Sequence, residues 1–197
     1  MVEFSLTGEA LWNRMEQAVE KVTRRLRKTV EILERAGVPY AVVGGHAVGA
    51  WVAQVDEAAV RTTRDVDILI RPGDFPLLVE VLSAAGFLHR QTAGLDMFVE
   101  TPDASARDAV HVLFCGRKVR PGDFEPNPDI EPNTQAKEFH TVALDVLIRM
   151  KLNSFRDKDR VYLRDMIAVG LIDATWLDRF PETLRMRLQQ LFDDPGG

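Results

Sequence analysis

The stretch TTRDVDILI, residues 62–70, decides how this chain is read. Its DVDILI portion is filled with apolar and β-branched residues and ends at Arg71-Pro72-Gly73, which predicts a strand. Side chains on a strand alternate, so Asp65 and Asp67 fall on one face and Val66, Ile68 and Ile70 on the other. Two carboxylates held side by side repel each other unless a cation lies between them, and burying them uncompensated is costly. Hard divalent ions such as Mg²⁺ bind through one or two carboxylates plus the phosphates of a substrate. The pair Asp65 and Asp67 is therefore read as a metal seat.

Upstream lies AVVGGHAV, residues 41–48. VPYAVVG (38–44) predicts a short buried strand, and Gly44-Gly45 turns the chain into a helix over 45–55 whose Ala47, Gly49, Ala50 and Ala53 favour close packing. A glycine pair satisfies a tight turn sterically; the backbone N–H groups of the following helix start can also face a phosphate. His46 is either a phosphate or substrate contact or a helix-terminal side chain without a ligand. Thr63, Arg61 and Arg64 flank the acidic pair as candidate nucleotide contacts, although alternation sides Arg64 with Val66 rather than with the carboxylates.

The chain has 197 residues, 46% of them hydrophobic and 28% charged, enough for a real core in a globular protein. A net charge of −5 gives no global basic field, so any polyanion site must be a local patch. Two basic clusters stand out: KVTRRLRK (21–28), and residues 149–164 with Arg149, Lys151, Arg156, Lys158, Arg160 and Arg164. The single cysteine, Cys115, excludes an internal disulfide and a thiolate cluster and is read as a core filler. No apolar run has the length of a membrane span, and the N-terminus lacks a signal-peptide core, so no membrane partner and a cytoplasmic location are expected.

Periodicity predicts a long amphipathic helix over 9–36, with Leu11, Met15, Ala18, Val22, Leu26, Val30 and Leu33 apolar and Gly37 as its stop. A third helix follows Pro72-Gly73-Asp74 and ends at Gly86; strands are expected at 96–100 and 109–115. The proline-rich segment 116–134 reads as a loop, and helices are expected over 142–155, 159–169 and 174–192, the last interrupted at Pro181. The resulting class is α+β: a small mixed β-sheet with helices on one face, plus a C-terminal helical unit. The expected division is an N-terminal helix (1–37), a core (38–118), a Pro-rich loop (119–140) and the helical unit (141–197).

A Gly-Gly turn between strand and helix, followed by a D-x-D strand, resembles the DNA polymerase β-like nucleotidyltransferase superfamily. With the run LIRMKLNSFRDKDRVYLRDMIAVGLID (147–173), the chain looks most like AbiEii-type toxins and minimal nucleotidyltransferases. The resemblance covers roughly residues 38–172. It implies that Asp65 and Asp67 hold Mg²⁺ (or Mn²⁺), that Gly44 and Gly45 contact the phosphates of a nucleoside triphosphate (NTP), and that a nucleoside monophosphate passes to a hydroxyl as pyrophosphate leaves. Lys151 matches a lysine set against triphosphate in that group, and Asp159 an active-site aspartate; the bland reading is a solvated cationic helix end. The resemblance further implies an RNA (tRNA) or protein acceptor and a toxin role with a cognate antitoxin.

The chain departs from that pattern at the third carboxylate. His111 of AVHVLFC stands where it is expected, and alternation groups His111 with Leu113 and Cys115. Histidine is a poor Mg²⁺ ligand. The alternatives by this reading are that one metal suffices, that Asp108 or Asp96 substitutes, that His111 is a base or a ligand for a softer metal, or that catalysis is lost. A catalytically silent nucleotide- or partner-binding protein is the alternative function, and a plain helical interaction module leaves the acidic pair unexplained.

Overall fold

A computed structural model describes residues 7–92, 94–131, 133–136, 138–194 and 196. Helix α1 (Glu9–Ala36) leads into β1 (Ala41–Val43), α2 (Gly44–Val52), β2 (Val66–Ile70), α3 (Phe75–Ala84), β3 (Leu88–Thr92), β4 (Leu95–Val99) and β5 (Val110–Phe114). A hairpin of β6 (Asn133–Ala136) and β7 (Phe139–Val142) follows, then α4 (Leu144–Ser154), α5 (Asp157–Ala168) and α6 (Glu182–Asp193). The strands form one mixed sheet in the order β3-β4-β5-β2-β1-β7-β6, with β2–β5 and β1–β7 parallel and the remaining neighbours antiparallel. This is the α+β class expected, with a mixed sheet, but helices cover both of its faces instead of one, because β2 and β5 carry apolar residues on both sides.

Alternation divides the interior into two layers. Val66, Ile68, Ile70, Val110 and Val112 point toward α1 and α3, where Val22, Leu26, Val30, Leu33, Leu78 and Leu82 complete one cluster. Val43, Leu69 and Cys115 point the other way and pack against α2 and the C-terminal helices through Ala47, Val48, Leu147, Leu163 and Leu188. Cys115 is free and buried there, the core filler expected. The Asp65–Asp67–His111 face is the second of these, so the acids look toward the C-terminal helices.

Several expectations change. The segment given to a loop over 119–140 carries β6 and β7, and β7 pairs with β1, so the sheet continues past the proline-rich stretch. Strand β3, LHRQT, was not expected: it is an edge strand, largely exposed, without an apolar face to mark it. Asp65 precedes β2 instead of opening it, and the strand expected at 38–44 shortens to three residues, all buried. The N-terminal end of the α1 stripe does not meet the sheet: Leu11 and Met15 are exposed, and burial begins at Val22. The helix expected over 174–192 is a 3₁₀ segment, Ala174–Arg179, followed by α6. No helix among the described residues is long and apolar enough to cross a membrane.

Candidate active site

The acidic strand and the glycine elbow meet at the floor of a cleft of about 220 Å³ bounded by β1, β2, β5, the 116–131 segment and the start of the C-terminal helices. Pairing fixes the floor. Asp67 lies opposite Val43 across the antiparallel β1–β2 pair and opposite His111 across the parallel β2–β5 pair. Gly44 follows Val43 with φ 69°, a left-handed conformation that suits glycine. A Cβ on Gly44 would sit 1.9 Å from Asp67 Oδ2, so this glycine is also the gap into which the carboxylate fits. At Gly45 a Cβ would come within 2.5 Å of the Tyr162 hydroxyl, which locks α5 against the elbow.

Ligand atoms of Asp65, Asp67 and His111 all lie within 4.8 Å of one another. His111 is therefore the side chain that stands beside the two carboxylates. The two alternatives are engaged elsewhere: Asp96 lies on the opposite sheet face, level with Val112, and accepts from His89 Nε2 at 2.8 Å, while Asp108 takes both nitrogens of the Arg64 fork at 3.0–3.3 Å. Both ring nitrogens of His111 are also occupied, Nδ1 at 3.1 Å from Asp67 Oδ1 and Nε2 at 2.8 Å from the Ala106 carbonyl oxygen. Neither is presented to an incoming hydroxyl, which tells against His111 as a free base. Burial works against charging the ring, but Asp67 outweighs it and the pKa of His111 is raised.

Asp65 is held from above. Thr63 Oγ1 donates to its Oδ1 at 2.5 Å, and Lys158 Nζ donates to its two oxygens at 3.0 and 3.2 Å. Burial raises its pKa, yet the Thr63 hydroxyl and the Lys158 ammonium more than compensate and bring it to about 2. Lys158 was noted in the sequence only as one cation of a cluster. The missed signal is its spacing from Tyr162: residues four apart share a helix face, and this face packs on the Gly45 elbow.

Lys151 and Asp159 reach the cleft as a buried ion pair, Nζ donating to Oδ1 at 3.1 Å. Asp159, 1% exposed, also accepts from Ser154 Oγ at 2.5 Å and Arg156 Nε at 2.8 Å. Burial opposes its charge, but Lys151, Arg156 and Ser154 together bring its pKa to about 2. With its oxygens so engaged, Asp159 positions Lys151 and Arg156. The far wall is fastened by Asn153, whose Oδ1 accepts from the backbone N–H groups of Phe124 and Glu125 at 2.8 and 3.0 Å.

Other sequence-selected residues go elsewhere. Arg61 pairs with Asp165 at 2.5 Å, and Arg64 with Asp108; neither points into the cleft. His46 lies behind the elbow, its pKa lowered by burial, and its Nε2 has no hydrogen-bond partner among the described residues. The KVTRRLRK run is dispersed around α1: Arg25 is buried against Glu100, Arg27 pairs with Glu138, and Lys28 lies over the Phe87 ring.

No protein-family model matches the chain, and no curated protein matches it. Among solved structures, the antibiotic-resistance factor ANT(2'')-Ia superposes with a TM-score of 0.53 at 11% identity, over 89% of this chain and 93% of that one. An antigenic nucleotidyltransferase-like protein from Paracoccidioides brasiliensis gives a TM-score of 0.53 at 14% identity, over 90% of each chain. Over nearly its whole length, the chain thus shares the fold of a nucleotidyltransferase-like protein.

Proposed function

We propose that the chain transfers a nucleoside monophosphate from an NTP to a hydroxyl. The observation that carries this is the convergence of Asp65, Asp67 and His111 at the floor of a cleft whose opposite side presents Lys158 and Arg156. The donor set fits a divalent cation held by Asp65 and Asp67, whose carboxylate is seated against Gly44. Such an ion supplies charge neutralisation at the triphosphate and draws electrons from the phosphorus under attack.

The chain's own residues account for the rest. Lys158 and Arg156 offer cationic donors to phosphate oxygens, and Lys151, held by Asp159, adds positive potential beneath them. At the Gly44-Gly45 elbow the missing Cβ atoms let Asp67 and Tyr162 seat against the backbone, and the N–H groups at the start of the following helix are the backbone donors offered to a phosphate. One P–O bond forms to the acceptor oxygen as the bond to the leaving pyrophosphate breaks, and the hydroxyl proton passes to solvent. A second hollow, bordered by Thr62, Arg64, Arg107 and Lys158, opens on the other side of Asp65. Its cations favour a phosphate-bearing acceptor such as the end of a tRNA over a protein hydroxyl. A toxin role with a cognate antitoxin, and the narrower kinship with AbiEii-type proteins, rest on the sequence resemblance alone.

The test is incubation with each labelled NTP, Mg²⁺ or Mn²⁺, and total tRNA or protein extract. Transfer that is lost in Asp65→Asn and Asp67→Asn supports the reading. Nucleotide binding without transfer under every condition refutes it and leaves a silent nucleotide-binding protein.

A further inference from the structure

The carbonyl oxygen of Ala106 has only lone pairs to offer, so at 2.8 Å the Nε2 of His111 must carry a hydrogen. In the neutral ring, Nδ1 is then a bare lone pair, and it faces Asp67 Oδ1, another lone pair, across 3.1 Å. Two acceptors so placed repel unless a proton or a metal ion lies between them, and a metal ion entering the seat takes the place of that proton. The Ala106 carbonyl is itself fixed in place. It belongs to a 3₁₀ turn, Ala106–Asp108, whose Ser105 accepts through Oγ from Arg107 N–H and through its carbonyl from Asp108 N–H. Asp108 in turn is clamped by Arg64 at the entry to β2. A hydrogen-bonded partner behind a metal-binding histidine sets its tautomer and its aim.

We propose that the Asp65–Asp67–His111 seat is built for a divalent first-row transition ion, with Mn²⁺ preferred over Mg²⁺ and His111 Nδ1 as a direct ligand. This deepens the nucleotidyl-transfer reading and rests on it for the identity of the site. Mg²⁺ favours an all-oxygen shell, whereas imidazole nitrogen is a normal ligand for transition ions; Mn²⁺ also keeps an affinity for carboxylate and phosphate oxygen. Arg64, the Asp108 carboxylate and the Ala106 carbonyl are then positioning groups for the imidazole.

The probes are MnCl₂ and MgCl₂, each with a non-hydrolysable ATP analogue and the full chain. Pulsed electron paramagnetic resonance of the Mn²⁺ complex should show ¹⁴N coupling from a directly bound imidazole, and this coupling should vanish in His111→Asp and His111→Gln. Calorimetry should give the unmodified protein a preference for Mn²⁺ of at least about tenfold, narrowed in His111→Asp, which restores an oxygen ligand. Bound Mn²⁺ without nitrogen coupling, an unchanged preference in a folded His111→Asp, or no Mn²⁺ binding at all overturns the proposal. Nitrogen coupling without label transfer refutes the transferase reading alone; transfer without nitrogen coupling refutes the metal assignment alone.

Discussion

Gly44→Ala tests the floor of the cleft most directly. Two separate penalties apply at this position. The backbone φ of 69° is disfavoured for any residue with a Cβ, which costs about 1–2 kcal/mol. The new methyl would also lie 1.9 Å from Asp67 Oδ2, so the carboxylate must retreat by about 1 Å or more, a displacement that can cost on the order of a hundredfold in rate. Gly37→Ala separates the two, because Gly37 has φ 65° but nothing within 4 Å of its virtual Cβ. Gly37→Ala should lose about 2–8 °C in thermal midpoint, from the backbone penalty and the size of the chain, and Gly44→Ala at least as much because the overpacking adds to it. Only Gly44→Ala should lose divalent-ion binding by calorimetry and label transfer by about a hundredfold. A Gly44→Ala protein that binds metal and transfers label as well as Gly37→Ala would show that the position of Asp67 does not govern the chemistry.

Asp159→Asn leaves Lys151 buried without its counter-charge and should destabilise the fold by about 3 kcal/mol in urea denaturation. The folded-state pKa of Asp159, about 2, lies below its ordinary 3.8; its stabilisation is therefore complete above the higher value and is lost as pH falls through the lower. The acid limb of stability against pH should flatten between about pH 4 and 2 in Asp159→Asn. Lys158→Met frees Asp65 from its ammonium partner and should weaken triphosphate binding by roughly two- to fivefold, while tightening Mn²⁺ binding in the absence of nucleotide. Asn153→Ala removes the side chain that fastens Phe124 and Glu125; hydrogen exchange at those two amides should accelerate by about tenfold or more.

What could be read from the sequence was local. Period-two alternation sorted Asp65 and Asp67 from Val66, Ile68 and Ile70, and grouped His111 with Leu113 and Cys115; the two core layers follow the same division. What escaped was set by long-range pairing. Asp96 could not be excluded as a ligand until the antiparallel β4–β5 register placed it level with Val112, on the other face. Strands β3 and β6 carry mostly polar, exposed residues at the two sheet edges, so no apolar period announced them. Lys158 sat in a visible basic cluster, but its turn toward Asp65 depends on Tyr162 packing against the Gly45 elbow.

Strand β7 hydrogen-bonds to β1 and runs within two residues into α4, so the helices bearing Lys151 and Lys158 are grafted onto the very sheet that holds the aspartates. One apolar interior spans both. On the proposed function, a triphosphate entering this groove meets anchors carried by one packed interior, which lowers the ordering entropy it must surrender. On the same reading, discrimination among guests falls at admission, to the 116–131 rim that Asn153 fastens and to Lys158, whose ammonium competes with an ion for the Asp65 carboxylate.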